Sequence, residues 1–160
     1  MAYELASSNR NEDQSNLAVT LVLTTNAGST LENNAVFSVP AMLGTAEAGD
    51  FNSGMFPMTI TFFAGSGDGA MEVMSIDPTS DTLVEGDETF TLGLSVVSGA
   101  ATVGVQGTHV VTINDADSAT VAFQTTTTTA GENAGATNVT LVLTTAAGNT
   151  LVRSRGAPRK

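Results

Sequence analysis

The chain has 160 residues, room for one domain and little more. Its 16 acidic and 5 basic residues give a net charge of −11, and with Arg10 as the only base before Arg153, residues 1–151 carry −15. That balance excludes nucleic acid and anionic membrane as natural partners, since each phosphate contact needs a cation. The lack of cysteine excludes disulfides, thiolate metal sites and cysteine nucleophiles, and the single histidine, His109, excludes a multi-histidine metal centre and makes a Ser-His-Asp triad barely possible.

Hydrophobic residues make up 41% of the chain and charged ones 13%, so a core can form. No apolar run approaches the roughly 18–20 residues of a membrane span. Met1–Asp13 lacks the apolar stretch of a signal peptide, so a secreted parent implies that this chain is an excised part of it.

In chain order, the predicted elements are strands. Val19–Thr24 places Val19, Leu21 and Leu23 on one face, and Thr59–Phe62 alternates. Met71–Ile76 is also expected to be a strand, but its imperfect alternation does not show which face points inward. Thr89–Val96 reads as one strand with Phe90, Leu92, Leu94 and Val96 on the same side, and Val110–Ile113 closes the series. Period-two alternation rich in Val, Thr and Phe marks half-buried strands. Asn26-Ala27-Gly28, Gly65-Ser66-Gly67-Asp68-Gly69 and Ser98-Gly99 separate them as turns. The Gly65–Gly69 run lacks a lysine and a following helix, so it reads as a hairpin turn and not a phosphate cradle. His109 reads as a strand residue near the end of a sheet. Evenly spaced short strands with polar turns predict an all-β antiparallel sandwich.

An internal repeat organises the chain. Val19–Leu31 reads VTLVLTTNAGSTL and Val139–Leu151 reads VTLVLTTAAGNTL, an offset of 120 that also pairs Glu12 with Glu132 and Tyr3 with Phe123. Residues 1–117 thus form one complete unit and 118–151 the first two strands of a second. The threonine run Thr125–Thr129 reads as a β-prone stretch or a split first strand. Residues 152–160 match nothing upstream and read as a non-native basic tail, the alternative being a natural basic C-terminus. A two-strand fragment is marginal alone, and its unpaired edges recruit partners. Val139, Leu141 and Leu143 are therefore expected to be exposed and to drive self-association, by edge pairing or by exchange with Val19–Thr25 of another copy.

The acids gather at turns. Asp77, Asp81, Glu85, Asp87 and Glu88 precede one strand, Asp115 and Asp117 follow another, Glu12 precedes the first long strand, and Asp50 lies in a loop. Turns at one end of a sandwich converge, and carboxylates brought together there repel unless a hard cation joins them. Calcium accepts six to eight oxygens in irregular geometry, magnesium demands a tighter octahedron, and zinc prefers nitrogen or sulfur. Two other readings stay open: a solvated acidic end that keeps the protein soluble, and an acid–base pair such as Glu85 with Glu88, although nothing marks a substrate cleft.

The stretch Asp81-Thr82-Leu83-Val84-Glu85-Gly86-Asp87-Glu88-Thr89-Phe90-Thr91-Leu92, followed by Val111-Thr112-Ile113-Asn114-Asp115-Ala116-Asp117, resembles a Calx-beta domain, the repeat of sodium–calcium exchanger regulatory regions and of many bacterial surface proteins. Ala48-Gly49-Asp50-Phe51 resembles that family's Asp-aromatic loop. Gly54–Gly65 resembles its glycine-bounded hairpin, and Asn11-Glu12 and Gly131-Glu132 resemble its glutamate before the second strand. The resemblance implies a seven-stranded immunoglobulin-like sandwich whose distal loops bind Ca2+. The implied ligands are Glu12, Asp50, Asp81, Glu85, Glu88, Asp115 and Asp117. Ala116 in place of a frequent aspartate, with Asn114 and Pro78-Thr79-Ser80 beside the acids, implies fewer or weaker calcium ions. The expected function is a calcium-binding structural or adhesive module of a larger extracellular or cell-surface protein, without enzymatic activity. The alternative is a carbohydrate- or ligand-binding module, for which the absence of Trp removes the usual aromatic platform.

Overall fold

The computed structural model describes residues 1–146 and 148–151. The predicted tail at 152–160 lies outside the described residues. Two compact units are present: Met1–Asp81 with Gly86–Asp115, and Thr82–Glu85 with Ala116 onward.

The first unit is an antiparallel sandwich of seven strands, three of them broken in two. The opening strand is β1 (Ala2–Tyr3) and β2 (Ser7–Asn11); then come β3 (Leu17–Val22), β4 (Ala35–Val39) with its continuation β5 (Ala41–Leu43), β6 (Met58–Phe62) and β7 (Met71–Ile76). In the second unit, β8 is Leu83–Val84. The first unit continues with β9 (Glu88–Leu92) and its extension β10 (Ser95–Ser98), and ends with β11 (His109–Asn114). One sheet has the order β1-β3-β7. In the other, β4 pairs with β6 and β10, while β9 pairs with β5 and β11, and β2 lies parallel to β11. Inward residues of both sheets, among them Val19, Leu21, Phe37, Phe62, Met74, Ile76, Phe90, Leu92 and Val111, form one buried core.

Two departures from the sequence-based expectation have local causes. The run Thr89–Val96 is not one strand: it turns a corner at Gly93, opposite the corner that the neighbouring strand makes at Pro40. Proline has no N–H for a ladder bond, and here its carbonyl accepts the Gly93 N–H at 3.0 Å. The buried Tyr3 hydroxyl donates to the Gly93 carbonyl at 2.8 Å. Before the corner Phe90 and Leu92 are buried; beyond it every residue of β10 is exposed, Val96 included, and the ladder with β4 shifts register between Val96 and Ser98. Second, the Gly65–Gly69 turn is not a hairpin, and neither is the glycine-bounded stretch Gly54–Gly65. Strand β6 pairs with β4 and β7 with β3, so the turn links two sheets, with Gly65 N–H bonded to Leu31 O and Leu31 N–H to Ser66 O. Met71–Ile76 is the expected strand, and the structure supplies the face left unassigned: Met74 and Ile76 point into the core. Met71 and Val73 face solvent, and these outward apolar residues blurred the alternation.

His109 opens β11 as expected for a strand end, and it is fully buried. Its Nδ1–H donates to the Leu5 carbonyl at 2.8 Å, and its Nε2 is hydrogen-bonded with the Ser8 hydroxyl at 2.7 Å. The ring also lies 5.4 Å from that of Tyr3. These contacts fix the start of the parallel β2–β11 ladder.

The second unit holds a hairpin, β12 (Ala119–Phe123) with β13 (Leu141–Thr145), and β14 (Thr150–Leu151) parallel to β8. Thr125–Thr129 is not a strand. At the repeat offset it matches Leu5–Asn9, whose strand β2 exists by pairing with β11. The second unit has no copy of β11 among its described residues.

Candidate metal site

The first unit brings together two pairs of carboxylates, the first of them through its strand register. Asn11 and Asn114 are the last partners of the parallel β2–β11 ladder, and Glu12 N–H extends it to Asn114 O at 3.1 Å. In a parallel pair the next residues of both chains leave side by side, and here they are Glu12 and Asp115. Their carboxylates each offer an oxygen within 4.8 Å of the other.

The second pair is set by aromatic packing. Phe51 is buried and stacks on Phe90, with centroids 3.9 Å apart and planes 1° from parallel. The 47–52 loop is held by Glu47 N–H donating to the Asp50 carboxylate and Thr79 N–H donating to Asp50 O. Asp50 precedes Phe51, and Glu88 lies two residues before Phe90. Their carboxylates also offer oxygens within 4.8 Å of one another. Two such charges repel by about 3 kcal/mol at an effective dielectric near 20, before solvent screening. All four residues are half-buried, so screening is incomplete.

Asp87 stands outside the ligand set that the resemblance implies, yet its carboxylate accepts the Asp115 N–H at 3.2 Å, while the Asp115 carboxylate accepts the Gly86 N–H at 2.7 Å. The one sequence signal for it was its place between Glu85 and Glu88. Asp81 is exposed and stands in neither pair. Glu85 and Asp117 belong to the second unit, where Asp117 accepts a hydrogen bond from the Asn149 side-chain amide at 2.5 Å. The donor set is carboxylate oxygen throughout, which fits a hard cation such as calcium and does not fit zinc.

A half-buried arrangement of paired acids at the end of an immunoglobulin-like sandwich defines a class of modular β domain. The Calx-beta domain model matches residues 4–117 and again 114–155, and the chain belongs to that family. Solved structures share the fold. The apo-form Calx CBD1 domain is 22% identical, over 71% of this chain and 94% of that one, with a TM-score of 0.58. The Calx CBD2 domain is 9% identical, over 72% and 85%, with a TM-score of 0.54. CBD12 from CALX1.2 is 21% identical with a TM-score of 0.56; 71% of this chain matches it, and that covers 43% of its length. This chain therefore spans less than half of that structure. No curated protein sequence matches it. Among the described residues no helix is long and apolar enough to cross a membrane.

Proposed function

We propose that the chain is a calcium-binding structural module of a larger extracellular or cell-surface protein, with ligands drawn from Glu12, Asp50, Asp81, Glu85, Glu88, Asp115 and Asp117. The observation that carries this reading is the pairing of Glu12 with Asp115 and of Asp50 with Glu88, four acids brought together from distant segments. The structurally similar CBD12 of CALX1.1 is a calcium binding domain, which supports the same choice of ion. Bound calcium supplies a positive charge that removes the repulsion within each pair. Glu12 and Asp115 then tie the opening strand to the closing one, and Asp50 and Glu88 tie the 47–52 loop to β9, so the module stiffens when calcium is present. The test is a melting curve in EDTA and in about 5 mM calcium, above the roughly 10⁻⁴–10⁻³ M affinity of extracellular modules. A rise in Tm supports the reading, and coincident curves sink it.

A second reading concerns partners. The hairpin β12–β13 exposes Val121, Phe123, Leu141 and Leu143. We propose that two copies pack these faces on one another. Strand exchange is the weaker route: if one copy's β13 replaces another's β3, one opening hairpin per chain stays uncovered, as before. Face-to-face packing covers both. Light scattering at about 100 μM, where exposed edges associate, is expected to show a dimer for the full chain and a monomer for a version ending at Ser118.

A further inference from the structure

We infer that Asp87 is a positioning residue for the carboxylate pairs and not a metal ligand, an inference that rests on the calcium reading above. Its carboxylate accepts the backbone N–H of Asp115, and the Asp115 carboxylate accepts the backbone N–H of Gly86. The two bonds are reciprocal. Each segment presents a carboxylate to the other's backbone, so the 86–87 segment and the end of β11 are clasped at two points. Asp115 belongs to one carboxylate pair, and Glu88, the residue after Asp87, belongs to the other. The clasp therefore joins the segments that carry both pairs.

Gly86 is part of the device. Its φ is +90°, a region side-chain-bearing residues rarely adopt, and nothing lies within 4 Å of where a Cβ would stand. Space does not require a glycine there. The backbone conformation that aims its N–H at Asp115 does. A carboxylate placed to receive a backbone N–H fixes the orientation of its own segment, as an Asx turn does in a shorter loop. Without that acceptor the Asp115 N–H turns to water, and the cost of ordering Asp115 falls on the ion when it binds.

Positioning and ligation differ in their response to charge. Asp87→Asn keeps an acceptor oxygen for the Asp115 N–H and removes the charge, while Asp87→Ala removes both. Calcium calorimetry on the full chain is expected to give Asp87→Asn an affinity within about threefold of the parent, and Asp87→Ala a loss of about three- to tenfold, the range one such hydrogen bond carries. In the calcium-free protein, hydrogen exchange at the Asp115 amide is expected to accelerate in Asp87→Ala and to stay slow in Asp87→Asn. Equal affinity in the parent and Asp87→Ala overturns the positioning role. Equal weakening of both variants overturns it in favour of ligation. A parent that gives no calcium heat overturns the calcium reading itself, with the Asp115 amide still reporting the clasp. Asp87 is exposed, so both variants are expected to fold; should Asp87→Ala melt in EDTA at room temperature, Asp87→Asn decides alone, with unchanged affinity supporting the role and lost affinity overturning it.

Discussion

The opening strand pair of the sandwich and its copy 120 residues later share a register and have opposite surroundings. In the first, Ala2 pairs with Val22 and Tyr3 with Leu21; in the second, Ala122 pairs with Val142 and Phe123 with Leu141. Even the flanking bond recurs, Glu4 N–H to Thr20 O and Gln124 N–H to Thr140 O. Yet Tyr3 and Leu21 are 3% and 0% exposed, while Phe123 and Leu141 are 66% and 59% exposed. Near-identical segments thus choose the same register by local pattern, but the burial of their apolar face depends on strands from elsewhere, above all the opposing sheet that brings Phe37, Phe62, Phe90 and Leu92 into the same core. Most of the hydrophobic stabilisation of such a hairpin comes from that cover.

Paired substitutions break the comparison most sharply at the core. Leu21→Ala removes a fully buried side chain and is expected to cost about 2–5 kcal/mol. Leu141→Ala, exposed, is expected to stay within about 0.5 kcal/mol. Urea unfolding of the two variants measures both, and equal losses would show that the second hairpin is also covered in solution.

The acidic residues give the next contrast. Glu12 meets Asp115 only because β2 runs beside β11. Its repeat partner, Glu132, has no such strand among the described residues of its unit. At a hundredfold excess over Kd, calcium is expected to add about 2.7 kcal/mol to the parent. Glu12→Gln is expected to remove most of that gain, and Glu132→Gln none of it. Calcium-dependent shifts in Tm report the outcome, and a loss at Glu132 contradicts the proposed ligand set.

A smaller effect is expected at the corner. Tyr3→Phe deletes the hydroxyl that caps Gly93 O and is expected to cost about 1 kcal/mol, whereas Phe123→Tyr is expected to be neutral. Burial pushes the Tyr3 hydroxyl pKa up from its ordinary value of 10.0. The folded state therefore holds the proton more tightly than the unfolded one. The resulting stability is fully present below about pH 10 and is lost as the pH rises from there toward the raised folded value. Alkaline melting curves are expected to fall more steeply for the parent than for Tyr3→Phe.

The least costly change to the fold is Phe123→Ser on the exposed hairpin. It is expected to leave unfolding within about 0.5 kcal/mol while weakening self-association, read by light scattering against the parent.

Much of the candidate site was legible in the acids themselves. Glu12, Glu88 and Asp115 stood out beside strand ends and Asp50 in a loop, and the structure brings them together in two pairs. The pairing was not legible, because it comes from a parallel contact between the first and last strands of the unit and from the Phe51–Phe90 stack. Asp87 was missed for a related reason: a carboxylate that holds a backbone N–H looks, in sequence, like one more acid in an acidic run.

The sequence by itself determined what local chemistry decides. Alternation set which faces of Val19–Leu23 point inward, the repeat set a common hairpin register, and the carboxylate-only donor set pointed to a hard cation. Tertiary structure alone decided where Thr89–Val96 bends, which face of Met71–Ile76 is buried, and why Thr125–Thr129 forms no strand although Ser7–Asn11 does. Each of these depends on a partner far along the chain: Pro40 for the corner, the core residues of the opposing sheet for β7, and β11 for β2. A strand's side-chain period is local, but its hydrogen bonds and its cover are supplied by whatever the fold brings alongside.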